Sequence, residues 1–195
     1  MNITRCKWCL GDELLLSYHD QEWGVPLHND KKHFEYITLE VMQCGLNWLM
    51  MLKKRDIIRD SFDNFDYEKI ACYSESDIQR IMLVEGMIHS ERKIKAIINN
   101  AIKYKELIDE YGSFDKYIWS FTGEKTYIYS KHLEGQREDH NELSDAISKD
   151  LKKKGFKFLG SITIFSHLQA AGIINDHTVN CWRFKELNTP NCIIK

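Results

Sequence analysis

Apolar residues recur at helical spacing along most of the chain, while strand-like alternation is nearly absent. Asp30 can N-cap a segment in which Phe34, Ile37, Val41 and Cys44 share one face, with Gly45 as a stop. Ser74 with Asp77 has the form of a capping box and opens a short helix to about Val84, ended by Gly86. Ser90 opens a long helix to about Glu110, whose buried stripe is Ile94, Ile97, Ile98, Ala101, Ile102, Leu107 and Ile108, and Gly112 closes it. Ser144 starts a helix ending at Lys154 and Gly155, and Ser161 starts one that carries Ile162, Phe165, Leu168 and Gln169 to Gly172. From Thr122 to Asn141 no period is clean. The alternation of Thr126, Tyr127, Ile128 and Tyr129 suits a short strand or a folded loop, and the segment is read as a loop.

These elements make a mostly α unit spanning residues 1–195, with room for one domain or two small helical lobes around a shared core. A composition of 43% hydrophobic and 29% charged residues with two prolines excludes disordered, collagenous and coiled-coil chains. No stretch approaches the ~18 consecutive apolar residues of a membrane span, and no signal-peptide core follows Met1, so a cytoplasmic protein without membrane association is expected. The net charge of -2 provides no global positive field. Contact with nucleic acid would therefore use local clusters, of which Lys53, Lys54 and Arg55 and the run from Lys149 to Lys157 are the candidates.

Six cysteines without an export signal point to metal ligation or burial, not to a disulfide framework. Cys6 and His19 near one end, and His177 and Cys181 in the run NDHTVNC near the other, form a candidate set. A spacing of four places His177 and Cys181 on one face of a helical turn, and two nitrogens with two thiolates suit tetrahedral zinc in a closed structural site clasping the termini. Cys6 with Cys9 has the competing C-x-x-C spacing, and spacing alone leaves that choice open. The other histidines (His28, His33, His89, His132, His140 and His167) lack a partner at ligand spacing and are read as surface or locally hydrogen-bonded.

Four blocks occur in order: YHDQEWGVP (Tyr18 to Pro26), LEVMQCGLNW (Leu39 to Trp48) followed by LKKR, KKGFKFLG (Lys153 to Gly160), and NDH with a cysteine four residues after the histidine. Together, over the range Cys6 to Cys181, they resemble the DNA-3-methyladenine glycosylase I family. The resemblance implies an all-α fold of the helix-hairpin-helix glycosylase superfamily, a zinc ion joining the N- and C-terminal segments, and a monomer. It also implies hydrolytic excision of N3-methyladenine from alkylated double-stranded DNA.

By the same resemblance the zinc ligands are Cys6, His19, His177 and Cys181, and Cys9 matches none. Trp48 would stack on the extruded base, Tyr18 and Glu40 would hydrogen-bond its edge, and Trp8 and Trp23 stand beside the shared motifs as further aromatics of the base pocket or of the core. Leu46 is the candidate apolar wedge with Gln43 beside it, and hairpin amides around Gly86 are candidates for phosphate. Glu40 falls on the flank of its helix's apolar stripe, so it is expected to be partly buried and to need a partner. The chain departs from the family where Asn47 replaces a usual serine, where Leu15 replaces a frequent aromatic, and where Arg92 replaces a small residue. Two alternatives accompany the main reading: the same fold with altered base specificity, and a non-catalytic zinc protein that binds lesion DNA.

Overall fold

Asp12 accepts hydrogen bonds from the amides of Leu14 and Leu15 and so starts helix α1 (Glu13–Gln21). The next helix, α2 (Asp30–Gln43), is the axis of the molecule. The computed structural model describes residues 3–136 and 138–195, and every residue of α2 from His33 to Met42 is buried. Helices α3 (Trp48–Ser61), α6 (Glu91–Tyr111), α7 (Phe114–Ser120) and α10 (Ser161–Ala170) surround it. The short helices α4 (Tyr67–Ile70) and α5 (Glu75–Met82) lie against α6, and α9 (Glu142–Lys153) lies against α10. Phe34, Ile37, Leu39, Ile58, Ile97, Trp119 and Leu168 belong to this main core, each contributing roughly 1.5–3 kcal/mol by its burial.

The remaining elements gather where the two ends of the chain meet the segment from Thr126 to Leu133. Helix α8 (Ser130–Leu133) follows strand β1 (Thr126–Ile128), which pairs in parallel with β2 (Cys192–Ile194) beyond α11 (Trp182–Leu187). The amide of Trp182 donates to the Thr4 carbonyl at 3.0 Å. A second, smaller apolar cluster of Cys6, Ile128, Cys181 and Phe184 lies beneath these contacts, with Trp8, Trp23 and Trp182 packed on it.

Several boundaries differ from the sequence reading. Asn29, not Asp30, caps α2 by accepting from the Lys32 amide, and Asp30 instead accepts from the amide of Asp115 at the start of α7. Asn141 caps α9, with Ser144 as the third residue of its capping box. The segment read as a loop contains β1, because the strand that completes it comes from the far C-terminus, which local alternation cannot reveal. The capping box of Ser74 and Asp77 and the left-handed Gly112 that closes α6 lie where the sequence puts them.

Gly172 fixes how the end of α10 meets the segment after α1. Its φ is +70°, and a Cβ there would stand 2.5 Å from the Pro26 nitrogen and 2.6 Å from the Val25 carbonyl carbon. Both neighbours are backbone and cannot yield cheaply, so Gly172→Ala should cost at least ~2 kcal/mol, read as an earlier thermal melt. A melt within error of wild type would mean that the two segments can separate freely.

Candidate functional site

A cavity of about 250 Å³ opens between α1, α2, α3 and α10. Tyr18, Glu40, Gln43 and Trp48, from three separate helices, line it together with Trp8 and Trp23. Four aromatic rings therefore share its walls with polar side chains. The Tyr18 and Trp48 rings are tilted together at 5.3 Å, and Trp8 meets Trp23 edge-on at 4.9 Å. Trp8 and Trp23 also pack against the rings of His19 and His177, so they serve the cavity and the small cluster at once.

Glu40 is only 5% exposed. Among the described residues no hydrogen bond or ion pair reaches its carboxyl, so the partner expected from sequence is not supplied by the protein. Burial alone raises its pKa to about 8, leaving the acid largely neutral near physiological pH and ready to ionise beside a cation. Burial also raises the Tyr18 pKa well above its ordinary value, so the phenol keeps its proton and remains a donor. The Trp48 indole N–H is buried without a hydrogen-bond partner. A cavity with an unpaired acid, a neutral phenol and aromatic walls suits a flat, polar, positively charged guest.

Three wall residues were not singled out as site residues from the sequence: Ser166, Gln169 and Asp176. Asp176 accepts from the Gln169 amide at 2.7 Å, and its other oxygen lies 2.8 Å from His132 Nδ1. The only sequence signal for Asp176 is its place inside the NDH run, directly before His177.

Cys6, His19, His177 and Cys181 converge beside the cavity, all four buried, with their ligand atoms within 4.8 Å of one another. His19 Nε2 lies 3.2 Å from His177 Nδ1 and 3.4 Å from Cys181 Sγ, and His177 Nδ1 lies 3.6 and 3.7 Å from the sulfurs of Cys6 and Cys181. Metal bonds of ~2.0–2.3 Å in a tetrahedron place neighbouring donors ~3.3–3.8 Å apart, so the set has the size of a metal site. The outer ring nitrogens fit too. His19 Nδ1 meets Asp20 at 2.7 Å and His177 Nε2 meets the Trp23 carbonyl at 3.0 Å, so each ring spends its N–H outward and turns a lone pair inward. Two lone pairs at 3.2 Å repel each other unless a cation lies between them.

His177 and Cys181 are joined by a turn, with the Cys181 amide on the Thr178 carbonyl, and not by the helical turn expected; Cys181 instead occupies the N-cap position of α11 without a side-chain capping bond. Cys9 is buried outside the set, its thiol donating to the Cys6 carbonyl at 3.0 Å. Burial raises the Cys6 thiol to about 11 and lowers His177 to about 3, the usual result of enclosing such groups in a protein interior.

Leu46 and Gly86 stand outside the cavity. Leu46, 38% exposed, is at the tip of the loop between α2 and α3. Asn47 caps α3 by accepting from the Met50 amide, a task that serine also performs, and neither Asn47 nor Leu15 lines the cavity. Gly86 lies in the turn between α5 and α6 with a φ of +78°. Arg92 stacks over the Phe158 ring at 4.7 Å.

The basic run Lys53, Lys54 and Arg55 is divided by the fold. Arg55 is withdrawn into a network, donating to Glu22 through two nitrogens and to Glu35 at 2.7 Å, while Lys53 remains exposed and Lys54 holds the Gly86 carbonyl. The remaining histidines also divide. His33, His132 and His167 are buried, and His33 Nδ1 lies 3.2 Å from His167 Nε2.

Comparison with known proteins agrees with this arrangement. The sequence profile of the methyladenine glycosylase family matches residues 8–184. DNA-3-methyladenine glycosylase 1 of Escherichia coli strain K12 is 41% identical over 179 residues, covering 92% of this chain and 96% of that one. A tyrosine-to-phenylalanine variant of 3-methyladenine DNA glycosylase I in complex with 3-methyladenine superposes with a TM-score of 0.85 at 36% identity, covering 91% of this chain and 96% of that one. A glutamate-to-glutamine variant of the Staphylococcus aureus glycosylase gives a TM-score of 0.85 at 37% identity, with the same two coverages of 91% and 96%. With its cavity, its Cys/His cluster and its nearly complete overlap with these proteins, the chain belongs to the methyladenine glycosylase family.

Proposed function

We propose that this protein is a DNA glycosylase that excises N3-methyladenine from alkylated double-stranded DNA by hydrolysing the N-glycosidic bond, the first step of base excision repair. One observation carries the reading: Glu40 is a buried acid without a protein partner in an aromatic cavity. N3-methyladenine attached to its sugar is a cation, so it provides the charge that lets Glu40 ionise, whereas neutral adenine does not. Further support comes from the substituted tyrosine and glutamate of the two variant structures, which are separated by the same number of residues as Tyr18 and Glu40.

In this reading the flipped base stacks on Trp48, between walls that include Trp8 and Trp23, and Tyr18 donates to an acceptor on its edge. Glu40, the acid of the site, selects and holds the cation. As the bond breaks, its electron pair passes to the base, which leaves neutral. Water adds to C1′ of the resulting oxocarbenium-like sugar and releases a proton to solvent. The Cys6, His19, His177 and Cys181 set would hold zinc, a structural ion that fastens the two termini beside the cavity without entering the chemistry. The α5–turn–α6 unit acts as the helix-hairpin-helix, with amides near Gly86 toward phosphate.

Release of free bases from methylated DNA tests the function: 3-methyladenine is expected as the main product. Release chiefly of another base would favour altered specificity, and abasic-duplex binding without any release would favour a silent binder. Leu46, as the wedge, is expected to fill the vacated stack with Gln43 beside it. Leu46→Ala should therefore lower abasic-duplex affinity about tenfold while the melting temperature stays within about 1 °C. A stability loss of ~2 kcal/mol or more would assign Leu46 to the core instead.

A further inference from the structure

Lys93 lies in the first turn of α6, just past the N-cap Ser90. Its ammonium donates to the carbonyls of Met42 and Cys44, both at 2.7 Å. These carbonyls belong to the last turn and the C-cap of α2, where helix acceptors lack partners and the helix dipole is negative. Among the described residues no carboxylate pairs with Lys93. A half-buried cation is therefore committed to two backbone oxygens of another helix.

The loop that follows has little else to hold it. Gly45 has a φ of +81° with nothing within 4 Å of where a Cβ would stand, the Leu46 amide donates back to the Gln43 carbonyl at 2.6 Å, and Asn47 turns away to cap α3. On the opposite side, Lys54 of α3 donates to the Gly86 carbonyl. Two lysines thus tie the α5–α6 turn unit to both helices that flank the Leu46 loop.

We propose that Lys93 is a positioning residue for base extrusion, clamping the end of α2 to the hairpin helix so that Leu46 stands at a fixed distance from the docked DNA backbone. The proposal rests on reading Leu46 as the wedge and the α5–α6 turn as the backbone-docking element. A wedge must enter the stack where the phosphates are held. Without the clamp, ordering the loop would be charged to each binding event, which lowers duplex affinity while leaving the base cavity intact.

The test compares Lys93→Met, Lys93→Arg, Leu46→Ala and the Lys93→Met, Leu46→Ala double variant. It reads abasic-duplex affinity, its salt dependence and binding of free 3-methyladenine. Lys93→Met is expected to weaken the duplex about tenfold while changing free-base binding by less than about twofold, since the two charge-assisted hydrogen bonds lost are to the backbone of Met42 and Cys44, which do not themselves line the cavity although Gln43 between them does. Lys93→Arg should recover most of the loss, and the double variant should bind no worse than the weaker single variant, because both changes disable one wedge. The salt slope should stay the same.

Additive losses, a shallower slope, or an equal loss of free-base binding would overturn the clamp and make Lys93 a phosphate contact or a general prop of the fold. Lys93→Gln, which keeps an uncharged N–H donor group on a shorter side chain, carries the same comparison should the methionine variant not fold. If Leu46→Ala alone binds like wild type, the wedge reading fails and this proposal with it. An effective Leu46→Ala beside additive Lys93→Met removes the clamp alone.

Discussion

Glu40→Gln is expected to lower 3-methyladenine excision by at least ~100-fold while leaving abasic-duplex affinity within about twofold. Glutamine keeps the size and part of the hydrogen bonding but removes the carboxyl that can ionise against the cationic base. An abasic duplex puts no base in the cavity, so its binding should not register the change. Equal losses in both measurements would make Glu40 a structural residue, and no loss in either would remove it from the reaction.

Two pH dependences follow from the raised carboxyl. Since only the ionised acid pairs with the incoming cation, kcat/KM of the wild type should rise with pH along a limb centred near 8, the pKa of Glu40 in the free enzyme, and the limb should vanish in Glu40→Gln. Stability runs the other way. The folded-state value of about 8 exceeds the ordinary 4.5, so the folded chain holds this proton more tightly than the unfolded chain. That contribution is complete below about pH 4.5 and is lost as pH rises to about 8. Glu40→Gln should therefore gain thermal stability relative to wild type across that window, with the difference level at higher pH. A variant that is less active and more stable at pH 8 is the signature of an acid kept for binding at the expense of the fold.

Cys181→Ser is expected to lose zinc and to melt roughly 10 °C earlier, on the basis of ~3–5 kcal/mol for opening a closed site in a domain of this size. Elemental analysis and a melting curve decide it, and full zinc occupancy in the variant would falsify the ligand assignment. Removal of the metal from wild type by a chelator should reproduce the early melt, and added zinc should reverse it. Cys9→Ser is the control, because a serine hydroxyl can donate to the Cys6 carbonyl as the thiol does and the four ligand atoms are untouched.

The amino-acid order by itself determined the features that depend on neighbours along the chain. The reciprocal bonds of Ser74 and Asp77, the left-handed stop at Gly112 and most of the α6 stripe involve residues a few positions apart, so their geometry follows from helix periodicity and cap chemistry, although Ile102, read into that stripe, is exposed. The separated motif blocks were also legible, and they include Tyr18, Glu40 and Trp48, which the fold brings to one cavity.

Tertiary structure decided everything that depends on which distant groups meet. A helical wheel of α2 assigns Glu40 to a flank, yet four helices close around α2 and make the flank interior, leaving the acid without the protein partner that burial calls for. Arg55 belongs to a basic run on paper and to a buried network with Glu22 and Glu35 in space. Gln169 reaches the cavity because α10 packs on α2, Asp176 because the chain turns back after α10, and β1 becomes a strand only when the last residues of the chain run beside it. Spacing alone left Cys9 and the distant pair open as partners of Cys6; the motif blocks already pointed to His177 and Cys181, and the meeting of the two termini brings those side chains together. The physical reason is common to all: local conformation is set by bonds between near neighbours, whereas burial and the ionisation it controls are set by long-range packing, which a linear pattern does not encode position by position.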